Sequence, residues 1–180
     1  MNAETPIHTI RLLQQTDFLA LLNYYDGLSP ASKNRFAPHV FDPNTLAKMF
    51  VDQPEVFIAY IGLHEPDNEI IAYTVLRRGI PSHDAARYLS YGLQPDEHSD
   101  CLLAPSVADN CQGMGLGTLM LKKILDDLRH TNILRIFLWG GVQATNTRAI
   151  NFYQKHQFST LGRFEHYGQN IDMMLVVDQY

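Results

Sequence analysis

The stretch Gln112-Gly113-Met114-Gly115-Leu116-Gly117 places three glycines within five positions. A strand-like apolar run, 101–107, precedes it, and a helix-like run, 118–129, follows it. Glycines let a backbone approach a ligand closely, and the N–H groups of a first helical turn have no acceptor within the helix. A strand, a glycine turn and a helix N-terminus in this order predict a site for an anion such as a phosphate.

The composition indicates one folded domain over residues 1–180, because 46% of the residues are hydrophobic and 18% are charged. The formal net charge of -5 argues against a nucleic-acid partner, since phosphate backbones bind clustered basic surfaces. No apolar run approaches the roughly 20 residues of a membrane span. The first six residues lack the basic and apolar regions of a signal peptide. We therefore expect a cytoplasmic protein that binds neither nucleic acid nor membrane.

The residues that could bind a metal or form a disulfide are poorly placed for either role. Cys101 and Cys111 fall in or beside the strand and turn, with no C-x-x-C pair, so we expect two free thiols. The histidines show no H-x-x-x-H spacing, and no metal is expected.

The apolar periodicity predicts a mixed sheet flanked by helices. Strand patterns occupy 8–13, 56–63, 69–76, 101–107, 133–139, 158–164 and 171–177, and helix patterns occupy 17–25, 118–129, 147–156 and short segments after Ser29-Pro30 and Asp42-Pro43. The segment 79–100 is an insertion between the third and fourth strands. A connection of this length is either a functional lid or a tolerated surface insertion.

Three phosphate-binding patterns compete for the glycine stretch. The dinucleotide fingerprint G-x-G-x-x-G fails on spacing, because Thr118 stands where its third glycine belongs. The P-loop fails because no lysine follows Gly117. The pattern Q/R-x-x-G-x-G/A is matched by Gln112, Gly115 and Gly117. A plain glycine-rich turn remains the structural alternative.

A second motif follows in the expected order. Asn146-Thr147-Arg148-Ala149-Ile150-Asn151-Phe152-Tyr153 fits N-x-x-A-x-x-x-Y, and Phe158 comes after it. With both motifs, residues 101–164 resemble the GCN5-related N-acetyltransferase (GNAT) family. The resemblance implies an α/β (α+β) fold with a mixed, mostly antiparallel sheet of six or seven strands. It also implies that the glycine loop binds the pyrophosphate of acetyl-coenzyme A (acetyl-CoA).

The resemblance assigns roles to individual residues. The implied contacts to acetyl-CoA come from Val107, Gln112, Gly113, Met114, Gly115, Leu116, Gly117, Thr118, Asn146 and Tyr153. The backbone N–H of Val107 would donate to the oxyanion that develops on the thioester carbonyl. Tyr153 would protonate the departing thiolate, since a phenol with a pKa near about 10 is protonated at neutral pH. A core tyrosine is the structural alternative.

The general base and the acceptor pocket are less defined. The family's glutamate position falls at or near Cys101, and the adjacent Asp100 is the predicted base, although strand alternation turns it to the other face unless a bulge intervenes. Glu97, His98 and ordered water remain alternatives. Arg35 and Phe36, within a segment seen in some family members, are the predicted acceptor contacts.

One departure from the family concerns the end of the helix before Phe158. The family has glycine at the position of Gln157, where the helix ends in a left-handed cap. A non-glycine residue there costs about 1 kcal/mol or requires another cap.

The leading prediction is an acetyl-CoA-dependent N-acetyltransferase acting on an amine of a small molecule, a peptide or a protein lysine. The alternative is a coenzyme A-binding sensor or a catalytically silent module of the same fold. The presence of Tyr153 at the motif position favours the enzyme, and the lack of an obvious base favours the alternative. A homodimer is left open.

Overall fold

The computed structural model describes residues 8–65 and 67–179. Residues 1–7, from which the signal-peptide expectation was drawn, and Pro66 of the predicted hairpin turn lie outside them. The strands are β1 (His8–Leu12), β2 (Phe57–His64), β3 (Glu69–Arg78), β4 (Asp100–Val107), β5 (Arg135–Leu138), β6 (Val142–Gln143), β7 (Ser159–Glu165) and β8 (Gln169–Val176). The α-helices are α1 (Phe18–Gly27), α2 (Pro30–Lys33), α3 (Pro43–Phe50), α4 (Ser82–Ser90), α5 (Leu116–Leu128) and α6 (Thr147–Lys155).

The eight strands form one sheet in the order β1-β2-β3-β4-β5-β8-β6, with β7 also paired to β8. β4 and β5 are parallel, whereas β1 pairs β2, and β5, β6 and β7 pair β8, in antiparallel registers. This mixed, mostly antiparallel sheet confirms the predicted fold class. The sheet has eight strands rather than six or seven, because the two-residue β6 is too short to produce a periodic pattern.

Backbone contacts divide the chain into two compact units. The first unit comprises residues 1–75 and 105–124, and the second unit comprises residues 76–104 and 125–180. That the whole chain is a single domain with an insertion at 79–100 stays a prediction.

Helices α2 and α3 begin where the sequence predicts. Ser29 caps α2 by accepting a hydrogen bond from the Ser32 N–H at 3.2 Å, with Pro30 at the first helical position. Asp42 caps α3 in the same way through the N–H groups of Asn44 and Thr45. Local side-chain chemistry therefore determines both helix starts.

The second unit includes the insertion, whose helix α4 packs on the sheet. Tyr88 of α4 is buried against Leu102 and Phe137. Arg87 of the same helix pairs with the buried Asp172 of β8, Nε to Oδ2 at 2.7 Å. The insertion is therefore more than a surface loop, because its helix α4 contributes to the core of the second unit.

Gln157 adopts the left-handed conformation expected at its position, with φ +64°. We predict that Gln157→Gly raises the free energy of unfolding by about 1 kcal/mol, because glycine has no Cβ to strain there. Chemical denaturation of the variant checks this. Gln154→Gly, in the last turn of α6, is the control and is expected to lose up to roughly the same amount. Unchanged or lower stability of Gln157→Gly would contradict the prediction.

Candidate functional site

The glycine loop lies in the first unit between β4 and α5. β4 ends at Val107, a 3-10 turn occupies Asp109–Cys111, and α5 begins at Leu116. Gly113 and Gly115 have φ values of +85° and +87°, a left-handed region that side-chain-bearing residues rarely adopt. The Leu119 N–H donates to the Gly115 carbonyl at 3.1 Å, so Gly115 accepts a bond of the first turn of α5. The helix therefore begins directly after the two left-handed glycines, at Leu116, two residues earlier than the predicted start at 118, and Gly117 lies inside it.

The loop is open on its outer side. Gly113, Met114 and Gly115 are exposed, and a Cβ added to Gly115 would meet no atom within 4 Å. Leu116, the next residue, is 1% exposed and anchors the helix start in the core. The exposed backbone of the loop, next to the buried Leu116, leaves room for an anion at the N-terminal end of α5.

Gln112 precedes the glycines and ties the loop to the end of β4 through its side chain. Its Nε2 donates to the Val107 carbonyl at 3.1 Å, while the Cys111 N–H donates to the Ala108 carbonyl at 2.9 Å. These bonds fold the turn back on the end of β4. The parallel register of β4 with β5 spans Asp100 to Leu103, and Val107 lies four residues beyond it. Val107 therefore lies outside that register, and its role as an oxyanion donor stays a prediction.

The second signature motif lies in the second unit on α6. The Asn146 side chain caps the helix by accepting from the Ala149 N–H at 3.3 Å. Tyr153 is 8% exposed, and its ring lies 5.2 Å from that of Phe158, centroid to centroid. Burial raises the pKa of Tyr153 above its usual value, which keeps the phenol protonated at neutral pH.

Asp100 has the surroundings of a structural residue. It is fully buried, and its carboxylate binds Arg135 at 2.6 Å (Nε to Oδ1) and 2.8 Å (Nη2 to Oδ2). The Asp96 N–H also donates to Oδ2 at 2.8 Å. Both oxygens already accept charge-assisted or backbone hydrogen bonds, which argues against the predicted base. The alternatives Glu97 and His98 are both exposed and lie 3.5 Å apart, Oε1 to Nε2.

We predict that Asp100→Asn destabilises the protein by about 3 kcal/mol while the folded variant keeps turnover within about tenfold. The stability loss follows from leaving Arg135, whose side chain is 23% exposed, without its counter-charge. Chemical denaturation measures the loss of stability. Turnover is measured as kcat at a temperature below the melting midpoint of the variant. Asp126→Asn, which breaks an exposed pair with Arg129, is the control and should cost less than about 1 kcal/mol. A loss of turnover without a loss of stability would restore Asp100 as the base.

The predicted acceptor contacts Arg35 and Phe36 lie in the first unit in different settings. Arg35 is exposed, whereas Phe36 is 8% exposed and meets the Tyr73 ring edge-on at 6.0 Å. Phe36 therefore belongs to an aromatic cluster, together with Tyr25, His39, Phe41 and Tyr73.

The sequence patterns assign no role to His39, which lies within this cluster. Its Nδ1 lies 2.8 Å from the Val40 carbonyl, which can only accept, so Nδ1 donates. In the neutral ring Nε2 then accepts, and the Tyr73 hydroxyl donates to it at 2.8 Å. Burial lowers the pKa of His39 and favours this neutral form. No local signal could reveal a pair separated by 34 residues.

Within the described ranges 8–65 and 67–179, no three His, Cys, Asp or Glu side chains are grouped so that they could hold a metal ion. In that same part of the chain, no helix has the length and apolar character needed to cross a membrane. Cys101 and Cys111 are free thiols.

Comparison with known proteins agrees with the fold. The sequence profile of the acetyltransferase (GNAT) family matches residues 19–158. A ribosomal-protein-S5-alanine acetyltransferase from Vibrio fischeri has a TM-score of 0.73 at 13% identity, covering 96% of this chain and 94% of its own. A spermidine N-acetyltransferase chimera from Vibrio cholerae and hSSAT has a TM-score of 0.70 at 18% identity, covering 96% and 97%.

A third structure contains the expected cosubstrate. The yncA protein of Salmonella typhimurium, solved with its cofactor acetyl-CoA, has a TM-score of 0.68 at 17% identity, covering 96% of this chain and 95% of its own. A search of curated protein sequences found no match. The mixed sheet and the glycine loop at a helix start define an acetyltransferase fold. The chain belongs to the acetyltransferase (GNAT) family, whose profile spans most of its length.

Proposed function

We propose that this protein is an acetyl-CoA-dependent N-acetyltransferase that transfers the acetyl group directly to an amine. The observation that carries the proposal is the exposed glycine loop with Gly113 and Gly115 in left-handed conformations at the start of α5. Backbone amides at a helix N-terminus suit the pyrophosphate of coenzyme A. Family membership and a neighbour solved with acetyl-CoA support this cosubstrate. A cytoplasmic location is part of the proposal.

The proposed cofactor contacts follow the two motifs. The pyrophosphate would be bound by residues 112–118, and the pantetheine arm by Asn146. The Val107 N–H would donate to the carbonyl oxygen of the thioester as negative charge develops there. No metal is required for any of these contacts.

The proposed reaction converts one amine and one thioester into one amide and one free thiol. A lysine-like amine has a pKa near about 10.4, so it must lose a proton before it attacks. Its nitrogen then forms a bond to the acetyl carbon, and the carbon–sulfur bond breaks. Tyr153 gives its proton to the departing thiolate and recovers one from solvent. The nitrogen loses one proton before it attacks and a second once it carries the acetyl group, and both leave through ordered water, since Asp100 is engaged with Arg135.

The acceptor is proposed as an amine-bearing small molecule, a peptide or a protein lysine. Neighbours named for spermidine and for the alanine of a ribosomal protein fall within this range. Arg35 and Phe36 are the proposed contacts.

A titration with acetyl-CoA tests the cosubstrate. We expect saturable heat in calorimetry and a raised melting temperature, since a ligand that binds only the folded state stabilises it. Desulfo-coenzyme A should bind as well, because the pyrophosphate is retained. No heat and no shift at millimolar acetyl-CoA would contradict the proposal.

A second candidate function is a coenzyme A-binding sensor without turnover. The observation that favours it is the engagement of both Asp100 carboxylate oxygens, which leaves the strand without an evident base. Binding of acetyl-CoA without acetylation of any amine would support this candidate.

A further inference from the structure

Asp109 makes a cluster of contacts that the proposed roles leave unused. Its Oδ1 accepts hydrogen bonds from the Ser29 hydroxyl at 3.0 Å and the Ser32 hydroxyl at 2.6 Å. Its Oδ2 accepts from the Ser29 N–H at 2.9 Å. Three donors from one short segment thus converge on one exposed carboxylate. Asp109 is separated from Ser29 by 80 positions in the sequence and from Ser32 by 77.

The loop side of this contact is firmly held. Asp109 opens the 3-10 turn that leads into Gln112 and the glycine loop. The Ala108 N–H donates to the Ile71 carbonyl of β3 at 2.8 Å, and Gln112 is bonded back to Val107. Asp109 therefore lies between two fixed points, and a shift of the loop displaces its carboxylate.

The other side of the contact leads to the predicted acceptor residues. Ser29 both donates to Asp109 and accepts from the Ser32 N–H, so one hydroxyl caps α2 and ties it to the turn. Arg35 and Phe36 follow α2 directly, and the Phe36 ring packs on Tyr73. We call residues 29–36 the α2 segment.

We propose that Asp109 is a positioning residue that couples the glycine loop to the α2 segment, so that acetyl-CoA bound at the loop orders the acceptor side. The inference rests on the proposed function, which puts acetyl-CoA at residues 112–118 and the acceptor near Arg35 and Phe36. A segment already ordered by the first ligand costs the second ligand less conformational entropy. Acetyl-CoA therefore raises the affinity for the amine, and the amine raises the affinity for acetyl-CoA by the same factor.

The charge needed for this coupling is present throughout neutral pH. The Ser29 amide and the Ser32 hydroxyl hold the pKa of Asp109 below its ordinary value. The carboxylate therefore stays ionised and keeps accepting from all three donors.

Hydrogen exchange with and without saturating acetyl-CoA tests the coupling without knowledge of the acceptor. In the unmodified protein we expect acetyl-CoA to slow exchange at 112–118 and, by about fivefold or more, in the α2 segment. In Asp109→Ala the slowing at 112–118 should persist, while that of the α2 segment should fall below about twofold. Ser32→Ala, which removes one of the three bonds, should give an intermediate value and serves if Asp109→Ala fails to fold. Asp126→Ala, an exposed carboxylate on α5, should behave like the unmodified protein.

The outcomes separate this inference from the proposed function. If acetyl-CoA alters neither segment of the unmodified protein, the proposed function fails and the coupling fails with it. If the loop is protected but the α2 segment is not, the coupling alone is wrong. A merely structural role for Asp109 would speed exchange in the α2 segment equally with and without acetyl-CoA, and that result would also overturn the coupling.

Discussion

Gly115→Glu is expected to weaken acetyl-CoA binding by at least about 100-fold, because it puts a carboxylate against the pyrophosphate. Gly115 has φ +87°, and a Cβ there meets nothing within 4 Å. In the free protein the substitution therefore costs the strain of a left-handed residue, about 1–2 kcal/mol, without a steric clash. In the complex, the side chain enters the open space above the loop and repels the phosphate charges. Calorimetric titration measures the loss.

A matched glycine separates backbone strain from the loss of binding. Gly92 has φ +76° and the same absence of neighbours within 4 Å, but it lies in the insertion. Gly92→Glu should lose a similar amount of stability and keep its affinity for acetyl-CoA. Gly115→Ala adds the strain without the charge and should lose less affinity than Gly115→Glu. If Gly115→Glu binds acetyl-CoA as tightly as the unmodified protein does, the pyrophosphate does not bind at this loop.

Tyr153→Phe is expected to lower kcat by about 100-fold or more, since the thiolate then departs without a positioned acid. The apparent KM for acetyl-CoA should change less than about threefold, because the lost proton transfer acts in the transition state. The ring and its packing on Phe152 and Phe158 are kept, so the fold should tolerate the change. Steady-state kinetics with an amine that supports turnover supply both constants.

A second buried tyrosine provides the control for this substitution. Tyr88 is 1% exposed, and its hydroxyl has no hydrogen-bond partner among the described residues. Tyr88→Phe should keep kcat and be as stable as the unmodified protein or more so, since an unsatisfied buried hydroxyl costs about 1–3 kcal/mol. If Tyr153→Phe retains full kcat, Tyr153 is a core residue and the acid lies elsewhere.

The features that sequence reasoning predicted correctly depend on local chemistry. The helix starts after Ser29 and Asp42 use side-chain hydrogen bonds within a few residues. The fold class follows from the order of such elements together with two motifs.

The features that it missed depend on contacts between distant residues. Asp100 was expected to be available as a base, yet Arg135, 35 residues later, occupies it. The Asp109 contacts and the His39–Tyr73 pair likewise join residues 34 or more positions apart. β6 is missed for a different reason, since its two residues are too few to show a repeating pattern.

The measurement that most directly tests N-acetyl transfer is release of free coenzyme A thiol during incubation with acetyl-CoA and a panel of amines. The panel includes polyamines, amino acids and peptides with free N-termini or lysines, and the acetylated product is quantified by mass. The account predicts that at least one amine gives thiol and acetylated amine in equal amounts, with the rate lost in Tyr153→Phe. Acetyl-CoA binding without turnover across the whole panel would contradict it.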